Sequence, residues 1–289
     1  MGNHFLGMEK KNDQQFIQFL QWALPRLGLR WPGFRKVRGQ VRKRVSRRIA
    51  GLNLSGLDDY RQFLAEHQEE WSYLNRLCRI TISRFFRDRG VFESLCKTVL
   101  PDLASQVASS DRNLIRCWSC GCASGEEPYT LALIWHLSVA PGYPEQGIAI
   151  LGTDADPVML KRAEEADYPT GNLKELPAKW REEAFQPGPP GHLSLKAEYK
   201  KIVRFMKQDI RETAPVDRFH LILCRNLVFT YFDRETQRKI LGTFYDHLEI
   251  GGALVIGCHE KLPLSAETSL TPWIAGKNIF RKSDPLMFS

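Results

Sequence analysis

The sequence predicts an α/β protein in which an all-helical N-terminal part precedes an open, mostly parallel sheet with helices on both faces. Three observations carry this reading. Apolar residues recur at helical spacing up to about residue 100. From Asn113 the period shortens, and five apolar segments follow: LIRCWSC, IAILGTD, IVRFMKQD, FHLILCRN and GGALVIG, with helical stretches between most of them. The run LIRCWSCGCASGEEPYTLALIW at 114–135 passes from a strand through a small-residue turn into a helix. Open sheets bind compact nucleotide-like ligands at such a junction.

Taken in order, FIQFLQWALPRLGL reads as a helix up to Pro25. VRGQVRKRVSRRIAGL spaces Val37, Val41, Val45 and Ile49 four apart, one apolar stripe under an arginine coat, and Gly51 and Asn53 mark its end. Leu57 opens another helix with Ser55 or Asp58 as its cap, and EEWSYLNRLCRI supplies a further one. Phe85, Phe86, Phe92 and Leu95 read as the packing edge of this unit. The expected domains are 12–100, helical, and 101–289, α/β. The turn cluster at 187–191 and the partial alternation after it suggest a small antiparallel insertion at 187–205, with a plain surface loop as the other reading.

Composition narrows the partners. At 289 residues, with 43% hydrophobic and 26% charged content, the chain can bury a large core. It has no clean apolar stretch of membrane-spanning length, so no membrane insertion is expected. Of a net charge of +8, the positive field is concentrated between Arg26 and Arg48, where ten Arg or Lys residues occur without an acid. That segment should face an acidic partner. It lacks an aromatic stacking series, so a protein is expected there and not nucleic acid. Seven cysteines is an odd number, and Cys117, Cys120, Cys122 and Cys224 lie in or beside core strands. Buried thiols in a reduced, cytoplasmic compartment are expected, and no metal site.

Candidate ligand residues cluster at strand ends. Gly121, Ala123, Ser124 and Gly125 permit close backbone approach at a helix start. The spacing matches neither a dinucleotide fingerprint nor a phosphate loop. Glu126 or Glu127 would repel a pyrophosphate but suit the ammonium of an amino-acid-like ligand. Either acid is also favourable simply by facing the positive helix end. Asp154 closes the second strand, where a carboxylate accepts ribose hydroxyls, and Asp156 is placed to cap the next helix. Asp209 could accept from an adenine amino group with Ile210 beside the ring. Arg225 and Asn226 leave the fourth strand, and Phe229, Tyr231 and Phe232 bring aromatic surface to the same rim.

Together GCASGEEPYTLAL, TDADPVMLKRA, LCRN…YFD and GGALVIGCHEKL, preceded by LCRITISRFFRDRGVFESL, resemble the CheR-type chemotaxis-receptor methyltransferases over about residues 14–283. The resemblance implies a Rossmann-like domain that binds S-adenosylmethionine and leaves S-adenosylhomocysteine. It also implies a helical N-terminal domain, a small inserted β-subdomain, and methylation of glutamate side chains on the helical cytoplasmic region of a chemoreceptor. Carried over by residue, Arg87 is the FFR arginine that reaches the active site, with Thr81 and Ser83 in the same stretch. Gly121, Ala123, Glu126, Asp154, Asp209, Ile210, Arg225 and Asn226 fall on the cofactor side. Arg87, Arg225 and Tyr231 are the expected catalytic residues. Arg38, Arg42, Lys43, Arg44, Arg47 and Arg48 are the expected docking residues. CRNLVFTYFD is one residue longer than the common form, so Thr230 or Tyr231 occupies the tyrosine position. Asp209 stands where an amide is common, and ISR lacks an asparagine often found near Thr81. These departures mark a divergent member. The other functions considered are a noncatalytic cofactor-binding signalling protein and a nucleic acid methyltransferase.

The implied chemistry needs no strong base, because a carboxylate is already ionised at neutral pH. The expected contribution of the protein is orientation and desolvation. His220, His247 and His259 are assigned to structure or loops.

Overall fold

A computed structural model describes residues 2–108, 113–263 and 269–284. The chain forms two compact units, Met1–Ile80 with Thr230–Thr236, and Thr81–Phe229 with Gln237–Ser289.

The first unit is built from helices Gly2–Arg26, Trp31–Phe34, Arg38–Gly51, Leu57–Glu66 and Gln68–Leu77. The first begins ahead of the expected start and runs one residue past Pro25. Phe16, Phe19, Leu20 and Leu24 from it are buried, as are Val41, Val45, Ile49, Tyr60, Leu64 and Leu74, and the Phe19 and Tyr60 rings lie 5.9 Å apart. The four-residue stripe therefore does bury, except at Val37, which sits at the helix start. The expected cap at Leu57 is replaced. Gly56 occupies the cap position, and the Ser55 N–H donates to Asp59 Oδ2 at 3.0 Å.

One polar group lies inside this unit. Glu70 is 3% exposed. Its carboxylate accepts from Arg48 Nη2 at 2.6 Å, Arg48 Nε at 3.0 Å and the Tyr60 hydroxyl at 2.7 Å. Burial alone would raise the Glu70 pKa, but the bonds from Arg48 and Tyr60 outweigh it and hold the carboxyl below its ordinary value.

The segment Thr230–Thr236 also belongs to this unit. The Arg30 N–H donates to the Tyr231 carbonyl at 2.8 Å, Arg30 Nε donates to the Thr230 carbonyl at 3.1 Å, and the Asp233 N–H donates to the Gly28 carbonyl at 3.0 Å. Close approach is possible because residue 33 is glycine; a Cβ there would lie 2.3 Å from the Thr230 oxygen.

The second unit carries a seven-stranded sheet. Its strands are β1 (Leu114–Cys120), β2 (Gly147–Asp154), β6 (Val203–Lys207), β7 (Phe219–Cys224), β8 (Leu248–Ile256), β9 (Leu270–Pro272) and β10 (Ile279–Lys282), in the order β6-β2-β1-β7-β8-β10-β9. The first five are mutually parallel. This is the expected α/β sheet, extended by the antiparallel β10 and β9, which sequence reading did not anticipate. After β1 the chain builds outward through β2 and β6, then crosses to β7 on the other side of β1. The carboxyl ends of β1 and β7 thus flank the point where strand order reverses.

Two boundaries need correction. The units divide at Ile80 and Thr81, not near residue 100, because Phe85, Phe86, Phe92, Leu95, Leu100 and Leu103 are buried in the same apolar core as Ile115 and Leu131. Those phenylalanines belong to the sheet unit. The insertion is a three-stranded antiparallel sheet of β3 (Asp167–Pro169), β4 (Phe185–Pro187) and β5 (His192–Leu195), in the order β3-β5-β4. It begins before the expected 187–205, and residues beyond 202 return to the main sheet as β6. The turn cluster is its β4–β5 connection. β3 was missed because three residues are too few to show a period.

Replacing Glu70 with alanine should lower unfolding stability by about 3 kcal/mol, since Arg48 would keep a charge without its buried partner. A carboxyl whose pKa is lowered by folding stabilises above its unfolded pKa and ceases to do so as pH falls through the folded value. The difference between wild type and Glu70→Ala in denaturant melts should therefore shrink in acid, below the ordinary glutamate range.

Candidate active site

β1 and β2 end in register, with Cys120 beside Thr153. The chain then turns through Gly121 (φ 78°), Ala123 (φ 47°) and Gly125 (φ 90°). A side chain at Gly121 would be strained by its left-handed conformation and would displace Leu227 Cδ2, which lies 2.4 Å from its Cβ position. The Gly121 and Cys122 N–H groups donate to the Thr153 carbonyl at 2.8 and 3.0 Å. The Ala123 N–H donates to Asp154 Oδ2 at 2.9 Å, and the Asp156 N–H to Oδ1 at 2.8 Å. Both oxygens of Asp154 are thereby fixed against the loop. Asp156 itself caps the helix Pro157–Glu165 by accepting from the Val158 N–H at 2.9 Å, as its position in the sequence suggested.

The two glutamates at the start of helix Glu126–Ile134 have different surroundings. Glu127 accepts from the Ser119 hydroxyl at 2.7 Å and from Arg225 Nη1 at 2.9 Å. Glu126 is 1% exposed and accepts from Ser124 Oγ at 2.9 Å, from Asn172 Nδ2 at 3.0 Å, and from Ser83. Burial pushes its pKa up, against the pull of these hydrogen bonds. Among the described residues no Lys or Arg forms an ion pair with Glu126, whereas Glu127 has Arg225.

Arg225 was expected near the substrate, and in the structure its guanidinium is engaged by groups of the protein. Its side chain is 3% exposed and lies between two carboxylates, Glu127 and Asp88, the latter at 2.7 Å from Nη2. Nη2 also donates to the Arg87 carbonyl at 2.6 Å, and the guanidinium covers the Phe92 ring at 4.8 Å. This is a positioning role, binding the exit of β7 to the 81–88 segment and to the helix start. Arg87 points elsewhere, with Nη1 donating to the Ile82 carbonyl at 2.7 Å. The segment is further held by the Phe85 N–H on the Asn172 carbonyl at 3.1 Å and the Phe86 N–H on Thr130 Oγ1 at 3.2 Å. Thr81 is partly exposed at its start.

Asp209 also differs from expectation. Its carboxylate is gripped by Arg211, through Nη2 at 2.6 Å and Nε at 2.9 Å, so it is engaged within its own turn. Ile210 is buried beside it. The preceding Gln208 donates its N–H to the Asp154 carbonyl at 3.0 Å, and its side-chain oxygen is buried without a hydrogen-bond partner. Asn226 adopts φ 57°, and its N–H donates to Glu260 Oε2 at 3.0 Å. The Gly257 N–H donates to the same oxygen at 2.6 Å.

Sequence reading missed Asp88, Asn172, Gln208 and Glu260. Glu260, in the CHEKL stretch, Asp88, just after FFR, and Gln208, beside Asp209 in IVRFMKQD, lay in quoted segments. Asn172 carries no local signal at all. Tyr231 and Thr230 lie in the segment grouped with the helical unit, where the Tyr231 ring packs on Phe34 at 5.1 Å between centroids.

The basic helix also sorts into two sets. Arg38 and Arg42 pair with Asp13 at 2.9 and 3.5 Å. Arg44 donates to the Leu77 and Arg79 carbonyls, and Arg48 binds Glu70. Arg44 and Arg48 thus hold the helical unit together, contrary to the expectation that they dock a partner. Lys43 and Arg47 are exposed, as is Arg42.

Comparison with known proteins agrees with this geometry. The family model described as CheR methyltransferase, SAM binding domain, matches residues 81–274. A chemotaxis protein methyltransferase of Listeria innocua is 36% identical over 194 residues, covering 67% of this chain and 70% of that protein. Chemotaxis protein methyltransferase 2 of Vibrio cholerae is 30% identical over 256 residues, covering 86% of each. A probable chemotaxis protein methyltransferase of Rhizobium etli is 32% identical over 228 residues, covering 77% of this chain and 84% of that one. The match opens at Thr81, where the sheet unit itself opens. The chain belongs to the CheR methyltransferase family, and its sheet unit is an S-adenosylmethionine-binding methyltransferase domain.

Proposed function

We propose that this S-adenosylmethionine-dependent methyltransferase acts on glutamate side chains of a chemoreceptor-like protein in the cytoplasm, forming glutamate methyl esters. One observation carries the reading of the site: among the described residues Glu126 is a buried carboxylate that forms no ion pair, whereas Glu127 and Asp88 both pair with Arg225. A buried charge is costly unless paired. The α-ammonium of S-adenosylmethionine would supply that pair, so the residues present fit the cofactor. Asp154, fixed by two backbone N–H groups, suits the ribose hydroxyls. The buried, unpartnered Gln208 oxygen suits an N–H donor such as an adenine amino group.

Bound S-adenosylmethionine supplies a methyl group on a sulfonium, electrophilic enough for a carboxylate oxygen to take it without a base. The tasks left to the protein are orientation and exclusion of water. Arg225 holds the loop ends that carry Arg87, Asp88 and Glu127. Arg87 is the proposed guide for the substrate carboxylate, since its backbone is fixed by Arg225 while its side chain stays partly exposed. Tyr231 is proposed to shape the methyl-transfer site. Lys43 and Arg47, with Arg42, form the proposed contact for an acidic helical surface.

Incubation with labelled S-adenosylmethionine and membranes from the host should give base-labile label on a protein. Tight cofactor binding with no protein labelled would overturn the enzymatic reading, and base-stable label on nucleic acid would redirect it. The double change Lys43→Glu with Arg47→Glu should raise KM for the acceptor protein roughly tenfold, with cofactor affinity unchanged and the effect reduced at high salt. Arg225→Lys keeps the charge but loses the fork that spans Glu127, Asp88 and the Arg87 carbonyl. It should cost about 2 kcal/mol in thermal or denaturant unfolding and weaken cofactor binding. An unaltered melt would contradict the positioning role.

A further inference from the structure

We propose that Asn172 is a positioning residue for the methyl donor, fixing the Glu126 carboxylate in the orientation that receives the donor's ammonium. The proposal rests on assigning Glu126 to that ammonium.

Three side chains donate to Glu126, and they are not equivalent. Ser124 Oγ lies 3.1 and 2.9 Å from the two carboxylate oxygens, but a hydroxyl has one proton and rotates. Ser83 is also a hydroxyl donor. Asn172 is the planar donor of the set, and its amide reaches one oxygen, Oε1, at 3.0 Å.

The residue is anchored on both sides. It lies in the short turn Thr170–Leu173, directly after β3, and the next residue, Leu173, is fully buried in the core. Its own carbonyl accepts from the Phe85 N–H at 3.1 Å. Arg84 and Glu175 pair across the same two segments at 3.5 Å. From β3 the Tyr168 hydroxyl donates to the Ser124 carbonyl at 2.7 Å. The inserted segment therefore touches this region at two points, β3 at the loop before Glu126 and the turn after it at the carboxylate itself. Donation to a buried carboxylate favours its charged form, which is the form an ammonium needs. Removing Asn172 should leave Glu126 both free to turn and easier to protonate.

Calorimetric titration with S-adenosylhomocysteine, which keeps the ammonium, tests this across a pH series. Asn172→Ala should weaken binding about tenfold near neutral pH. The fall in affinity on acidification should begin about one pH unit higher than in wild type. In a Glu126→Gln background the same change should add little, because the group it positions has lost its charge. The Phe85 contact uses the Asn172 backbone and survives substitution. Should alanine nevertheless unfold the protein, Asn172→Ser retains a donor and should show a smaller shift in the same direction. An unshifted pH profile, or additive losses in the double variant, would overturn the role of Asn172. Unchanged affinity in Glu126→Gln would instead remove the assignment of Glu126 itself.

Discussion

The site depends on how one buried arginine sorts the charges around it. Three acids, Asp88, Glu126 and Glu127, lie on the segment before the sheet and at the first helix start. Arg225 takes two of them and leaves the third. Without it, Glu127 and Asp88 would be under-solvated carboxylates repelling each other and Glu126. With it, Asp88 and Glu127 share one cation, and Glu126 is left as the buried acid outside that pairing. That is the arrangement an ammonium-bearing ligand requires, and a phosphate-bearing one would be repelled. The same guanidinium binds the Arg87 carbonyl, so electrostatics and backbone geometry at this point are one constraint.

Backbone strain is concentrated in the same place. Phe86, Asp88, Ala123 and Asn226 are non-glycine residues with positive φ, and all four lie in the loops that meet the carboxyl ends of the strands. Such conformations are unfavourable for a residue with a side chain and persist only where surrounding contacts enforce them. Each has an identifiable restraint. The Phe86 N–H is held by Thr130, Asp88 by Arg225, the Ala123 N–H by Asp154 and the Asn226 N–H by Glu260. Loops fixed in this way present their polar groups without reorganisation when a ligand arrives, which lowers the entropic cost of binding.

Most of the parallel sheet was legible because buried strands announce themselves as apolar runs, and the helices between them by their period. The ligand loops were legible because strand ends in an open sheet carry binding groups whatever the chemistry. What could not be read was which of several polar residues would be paired internally. Glu126 and Glu127 are adjacent and alike in sequence; only the distant Arg225 distinguishes them. Asp209 looked like a base acceptor, but Arg211, two residues on, closes on it. Asn172 reaches Glu126 from an insertion whose first strand is too short for any periodic signal. These are tertiary pairings, and a one-dimensional pattern contains no information on them.

The basic helix makes the same point on a different scale. Read as a string, ten cations without an acid describe a strong one-sided field. Folded, Arg48 faces a buried carboxylate, Arg38 and Arg42 share Asp13, and Arg44 satisfies two backbone carbonyls. An arginine fork suits those internal tasks because it reaches several acceptors from one rigid plane, which a lysine ammonium does not. Of the ten, Arg26, Arg35, Lys36, Arg42, Lys43 and Arg47 are exposed, and Arg42 is shared with Asp13. Among them Lys43 and Arg47 form a row one helical turn apart. A row of that kind favours an acidic partner whose charges repeat at the same spacing, as they do along another helix.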